Sequence, residues 1–154
     1  AWESIMGSNG TINRELPVQF HTLKYMSPME GYWMKIKPGI EATITIEGQI
    51  YDSACGIPLK KGWNLIGWPF GAGYYDTGTE PGVNVPEGTI WKSVQEPVAA
   101  YVFSSIEGKY SMAISRDGVY NPGLPVAFNT LHWFAPGHAF WIKMEEDAVL
   151  IYEP

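Results

Sequence analysis

The chain has 154 residues, 45% of them hydrophobic and 17% charged, with a net charge of −6 and a pI near 5.0. That balance excludes intrinsic disorder, and no apolar run approaches the roughly 18 residues a membrane span needs. Beyond Lys60-Lys61 there is no Lys/Arg cluster, so the basic footprint of a nucleic-acid binder is missing.

Seventeen glycines and twelve prolines among 14% aromatics predict an all-β chain of many short strands. Asn9-Gly10 reads as a turn. Thr22–Tyr25 reads as a short bend or helical turn ahead of Pro28. Tyr32–Lys37 alternates as a strand, with Tyr32, Met34 and Ile36 on one face and Trp33, Lys35 and Lys37 on the other. Pro38-Gly39 turns the chain, and Ala42–Glu47, rich in Ile and Thr, predicts a strand. Gly48 and Asp52–Gly56 break the pattern. Leu59–Trp68 follows as a strand, bulged or closely approached at Gly67. Residues 71–90 carry no regular pattern; a loop of that length is commonly functional. Trp91–Gln95 is a brief helix candidate, Val98–Ser104 a buried strand and Lys109–Ser115 another strand. Asp117-Gly118 turns, Thr130–Trp133 bends, and Phe140–Met144 repeats the alternation of the Tyr32 strand. Such elements predict a β-sandwich or distorted barrel.

The order of motifs predicts an internal duplication. Leu16-Pro17-Val18 recurs as Leu124-Pro125-Val126. At the same offset Phe20 meets Phe128, Thr22-Leu23 meets Thr130-Leu131, Pro28 meets Pro136 and Tyr32-Trp33 meets Phe140-Trp141. Gly10, Asn13 and Lys35 meet Gly118, Asn121 and Lys143. After a two-residue slip, Ala42–Glu47 answers Ala148–Glu153. Only the later copy is preceded by Gly62-Trp63-Asn64-Leu65-Ile66-Gly67-Trp68-Pro69. Residues 1–52 are therefore expected to be the C-terminal half of one repeat, and residues 57–154 a complete second repeat.

Gly62–Pro69, Phe128–Leu131, Pro136-Gly137 and Phe140–Lys143, together with Phe20–Leu23, Pro28 and Gly31–Lys35, resemble a repeat of large bacterial and archaeal cell-surface and secreted proteins. Those repeats read roughly GWNL, then NTL, then PGxGYWI. This chain departs from them at Ala139, where the pattern has Gly, and in the Gly- and Tyr-rich stretch after Pro69. The resemblance implies an extracellular or cell-surface module. It carries no catalytic residue over.

Chemistry is sparse. No Gly-x-Ser-x-Gly elbow occurs, and Gly7-Ser8-Asn9-Gly10 reads as a turn. Cys55 is the single cysteine; a Cys–His pair with His21, His132 or His138 is the one nucleophilic alternative. His132 and His138 lack metal-ligand spacing. Asp76, Glu80 and Asp117 are the candidate calcium ligands. Glu145-Glu146-Asp147 reads as a solvated turn and not as a glycosidase pair. The expectation is no enzyme, no cofactor and no metal.

Aromatics carry the functional expectation. Flat rings stack on sugar rings at little entropic cost. Trp68, Tyr74, Tyr75, Trp91 and Trp133 are the expected ligand-binding residues. Trp33, Trp63 and Trp141 belong to the repeat motif and are expected to be structural. The sequence thus predicts a non-catalytic recognition module binding a polysaccharide or other surface ligand. The alternative is a structural subunit of a surface layer, sheath or filament, in which neighbouring copies pair strands; a half-repeat leaves an edge for that purpose.

Overall fold

The computed structural model describes residues 1–45, 47, 51–78 and 85–153. The chain is all-β. Strands β1 (Trp2–Gly7), β2 (Gly10–Asn13) and β3 (Tyr32–Ile36) form an antiparallel sheet in the order β2-β1-β3. Strand β4 (Cys55–Leu59) pairs with β12 (Ala148–Tyr152). Strands β5 (Gly62–Gly67), β8 (Tyr110–Ser115), β9 (Gly118–Tyr120) and β11 (Ala139–Met144) make a sheet in the order β5-β11-β8-β9. Strands β6 (Tyr74–Asp76), β7 (Ile90–Lys92) and β10 (Trp133–Phe134) make a fourth, ordered β10-β6-β7. One short helix, α1 (Val98–Val102), precedes β8.

Positions related by the repeat offset hold matching places in two sheets. Ile5 pairs with Ile12 and Met34, as Ala113 pairs with Tyr120 and Ile142. Met6 pairs with Thr11 and Trp33, as Ile114 pairs with Val119 and Trp141. Each sheet slips by one residue at the same place, around Glu3 and around Ser111. Beyond each hairpin a 3-10 turn, Val18–Phe20 or Val126–Phe128, leads into a crossing segment. There Thr22 and Leu23 N–H donate to Thr11 O, and Thr130 and Leu131 N–H donate to Val119 O. The crossing is close. A Cβ on Gly10 would sit 2.5 Å from Leu23 N, and one on Gly118 would sit 2.2 Å from Thr130 O. Glycine is required there because the neighbour is backbone and cannot turn aside.

The two sheets differ in what covers them. The main core runs through β4, β5, β6, α1, β8, β10, β11 and β12, and all its fully packed members lie in residues 55–152. Met144 is 1% exposed, whereas Ile36, at the matching place in β3, is 38% exposed. Phe134 is fully buried, and Met26, at the position related to it by the same offset, is exposed. Burying a large side chain contributes about 1.5–3 kcal/mol, so the N-terminal sheet carries much less hydrophobic stabilisation.

Several elements differ from the sequence reading. Val98–Val102 is a helix and not a strand. A short apolar run has no periodicity of its own to separate the two. Here Pro97 fixes the entry, and the Val98 N–H is capped by the distant Asp76 carboxylate at 2.7 Å. Trp91 lies in strand β7, not in a helix, because Ile90–Lys92 finds β6 as a parallel neighbour. Leu59–Trp68 is divided by a turn at Lys60-Lys61 into β4 and β5, with Gly62 at a positive φ of 98°. Strand β6 lies inside the stretch read as loop. Residues 42–45 form no strand. Their counterpart β12 has β4 as partner, and no strand is stable without one. Ile46 of that expected strand, Gly48, Glu80 and residues 79–84 of the loop lie outside the described residues.

Candidate functional site

Three of the five expected ligand-binding aromatics are core residues. Trp68 is buried; its indole N–H donates to Ala72 O at 2.8 Å, so the Gly71-Ala72-Gly73 bend folds over the ring. Its faces and edges meet Phe70, Tyr74 and Tyr152. Tyr74 is buried, stacks on Tyr101 at 5.4 Å and donates to Glu153 O, and burial pushes its phenol up to about 12. Tyr75 is buried between two strands, with Gly73 closely approached by its ring. A π-face already covered by protein cannot stack on a sugar, which corrects the expectation for Trp68, Tyr74 and Tyr75. Trp91 and Trp133 do reach the surface. Tyr75 pairs with Trp133 on one side and Trp91 on the other, so β6 separates the two indoles. Two strand spacings put their backbones about 10 Å apart.

Two tryptophans expected to be structural are among the exposed aromatics. Trp33 is 60% exposed and Trp63 is 51% exposed; Trp141 is half-buried. They line one groove of about 670 Å³ with Met6, Met29 and Leu65. Trp63 and Trp141 meet edge to face at 6.3 Å. A signal for their exposure is present in the sequence. Trp33 shares its strand face with Lys35, and Trp141 alternates with buried Phe140 and Ile142. In a sheet covered on one side, that phase points to solvent.

The groove is a wedge between β3 and β5. The two strands touch at one end, where Gly67 N–H donates to Met29 O at 2.9 Å and Gly31 N–H donates to Leu65 O at 3.4 Å. Glu30 bridges to Ile66 there. Past Gly31 the strands separate, and β3 pairs only with β1. Lys37 N–H donates to Ala1 O at 2.9 Å, so alternation along β3 turns the N–H groups of Lys35 and Trp33 toward β1 and those of Met34 and Ile36 toward the open side. β11, at the matching place, has β5 along that side from Ala139↔Gly67 to Met144↔Gly62.

Titratable groups are scattered. Cys55 is buried in β4 opposite Tyr152, and burial pushes its thiol up. No histidine is hydrogen-bonded to it among the described residues. His21 Nε2 faces Asn13 O and Leu16 O, and His132 Nδ1 bonds the buried Asp76 at 2.9 Å. Asp147 is held down by Lys60, at 2.9 Å, and by the Lys61 N–H. Asp76 and Asp117, expected as candidate calcium ligands, serve His132 and the His138–Arg116 region respectively. Among the described residues no three His, Cys, Asp or Glu side chains converge.

His138 gives a pH prediction. Burial pushes its imidazole below the ordinary 6.5; the Asp117 carboxylate, 3.8 Å away, opposes this only in part. The unfolded chain therefore takes up the proton first as pH falls. His138 contributes its full stability above 6.5, and that contribution is lost as pH drops from 6.5 through the lower folded value. Melting curves of wild type and His138→Gln between neutral and mildly acid pH are expected to diverge, with the wild type falling more steeply. Parallel curves would exclude the titration.

Comparison with protein-family models, with curated proteins and with solved structures found no match.

Proposed function

We propose that this chain is a non-catalytic assembly module of two related halves, whose N-terminal sheet accepts a strand from another polypeptide along the open side of β3. One observation carries the reading: β11 has a full strand neighbour on the side where β3 has a single point of contact. Open edges of this kind pair with other chains, and strand addition draws affinity from backbone hydrogen bonds. Low charge and many aromatics favour a place at a cell surface or outside the cell.

The test is molar mass in solution by light scattering over a concentration series, for wild type and for Met34→Pro. Proline removes the N–H on the open side and leaves the β1 side intact. The expected result is association of the wild type that the variant suppresses. Equal masses for both proteins at every concentration would remove association of copies through β3.

A second reading is polysaccharide recognition in the same groove. Two indoles more than half exposed beside a third favour it. That reading expects glycan binding that Trp33→Ala or Trp63→Ala removes.

A further inference from the structure

We infer that the strand accepted at β3 belongs to a strand–turn–strand unit of the Cys55–Gly67 type, supplied by a polypeptide whose own C-terminal half does not hold it. The inference rests on the reading that β3 accepts a strand; it names which strand, and in which register.

In the C-terminal half the β4–turn–β5 unit, whose two strands lie in different sheets, does three things at once. Strand β5 lies on β11 with Phe140↔Ile66, Trp141↔Leu65 and Lys143↔Trp63. Strand β4 pairs with β12, with Leu150 opposite Ile57. The Lys60-Lys61 turn between them is held by Asp147, whose carboxylate takes the Lys60 ammonium at 2.9 Å and the Lys61 N–H at 2.8 Å.

The N-terminal half presents all three counterparts without a partner. Tyr32, Trp33 and Lys35 stand where Phe140, Trp141 and Lys143 stand, and their outer side is open. Ile44 stands where Leu150 does after the two-residue slip; Leu150 is fully buried, whereas Ile44 is 54% exposed. Glu41 directly precedes Ala42 as Asp147 precedes Ala148, and it has no ion pair among the described residues. A backbone edge, an apolar strip and a single acidic group thus recur in the order that the β4–turn–β5 unit satisfies in the C-terminal copy. An arbitrary strand would answer the edge alone. The lysine turn answers the carboxylate as well.

The chain's own β4–turn–β5 unit cannot be the occupant. It is held by β11 and β12, and leaving them would expose Leu59 and Ile66, both core residues. An incoming unit of this type enters the wedge between β3 and β5. It displaces only the long Gly31 N–H to Leu65 O bond and the contact beside it. In the transferred register Tyr32 lies opposite the incoming Ile66, Trp33 opposite Leu65 and Lys35 opposite Trp63. Residues 42–45 then gain the partner strand they lack.

The probe is a blocked synthetic peptide of residues 53–69, titrated into the full chain by calorimetry, with amide exchange mapped on the complex. The expected result is saturable one-to-one binding. Amide exchange slows at Met34, Ile36 and residues 43–45, and Met34→Pro weakens binding about tenfold or more. Glu41→Ala weakens it less and makes it insensitive to salt. Protection at Met34 and Ile36 in the wild type stands as support if Met34→Pro fails to fold. No binding, binding matched by a scrambled peptide, or binding without protection at β3 overturns this unit as occupant. Self-association sensitive to Met34→Pro in a chain that ignores the peptide overturns the unit as occupant and leaves strand acceptance standing. Absence of both overturns the two together.

Discussion

Replacing Asp76 by alanine is expected to lower the unfolding free energy by about 3 kcal/mol. The carboxylate is fully buried and joins three parts of the chain. It sits in β6, its Oδ1 accepts the Val98 N–H at the start of α1, and its Oδ2 accepts His132 Nδ1–H at 2.9 Å. The Asp76 backbone N–H also donates to His132 O. Alanine leaves the Val98 N–H and the His132 ring without the partner around which they are packed. An unmade buried hydrogen bond costs the desolvation of the group left behind, about 1–3 kcal/mol each. Urea denaturation reads the effect as a lowered midpoint with an unchanged slope. A chain of this size would melt about 6–12 °C lower. Asp76→Asn keeps one acceptor oxygen, and its loss is expected to fall between wild type and alanine. A loss below about 1 kcal/mol for alanine would show that the junction of β6, α1 and the His132 segment does not depend on the carboxylate.

Met144→Ala is expected to cost about 3 kcal/mol and Ile36→Ala less than about 1 kcal/mol, although the two positions match in sequence and in strand pairing. Met144 lies opposite Tyr110 in β8, and Ile36 lies opposite Trp2 in β1. Truncating a buried side chain costs its transfer free energy and opens a cavity; truncating a surface one does neither. The difference between the variants therefore measures what covers each sheet. Leu131→Ala and Leu23→Ala are the controls. Both leucines are buried in the crossing segment, so both substitutions are expected to cost about 2–5 kcal/mol. Equal losses for Met144 and Ile36 would mean that the N-terminal sheet is as well covered in solution as the C-terminal one.

What lies across from a segment also decides how far that segment is legible in sequence. Tyr32–Ile36 and Phe140–Met144 are legible as strands because alternation is written in consecutive residues. The Asn9-Gly10 and Asp117-Gly118 turns are legible because glycine is needed where backbone approaches backbone. Ala42–Glu47 looks as strand-like as Ala148–Glu153, yet only the latter has a strand across from it. Val98–Val102 is a helix because Asp76, more than twenty residues earlier, caps it. Sequence misplaces the candidate site for a related reason. Loop-like surroundings predict exposure for Tyr74-Tyr75, whereas α1 and β10 close over that stretch. Membership of the motif predicts structural roles for Trp33 and Trp63, although the strand phase of Trp33 puts it with lysines.

The residues by themselves determined the all-β class, the alternating faces, the tight turns and the recurring order of motifs, because each is a relation written along the chain. Tertiary structure alone decided which apolar run became helix, which aromatics were buried and which strand edge was left open. Those outcomes depend on what lies across from a segment, and a strand or a buried face exists only when something is there to meet it.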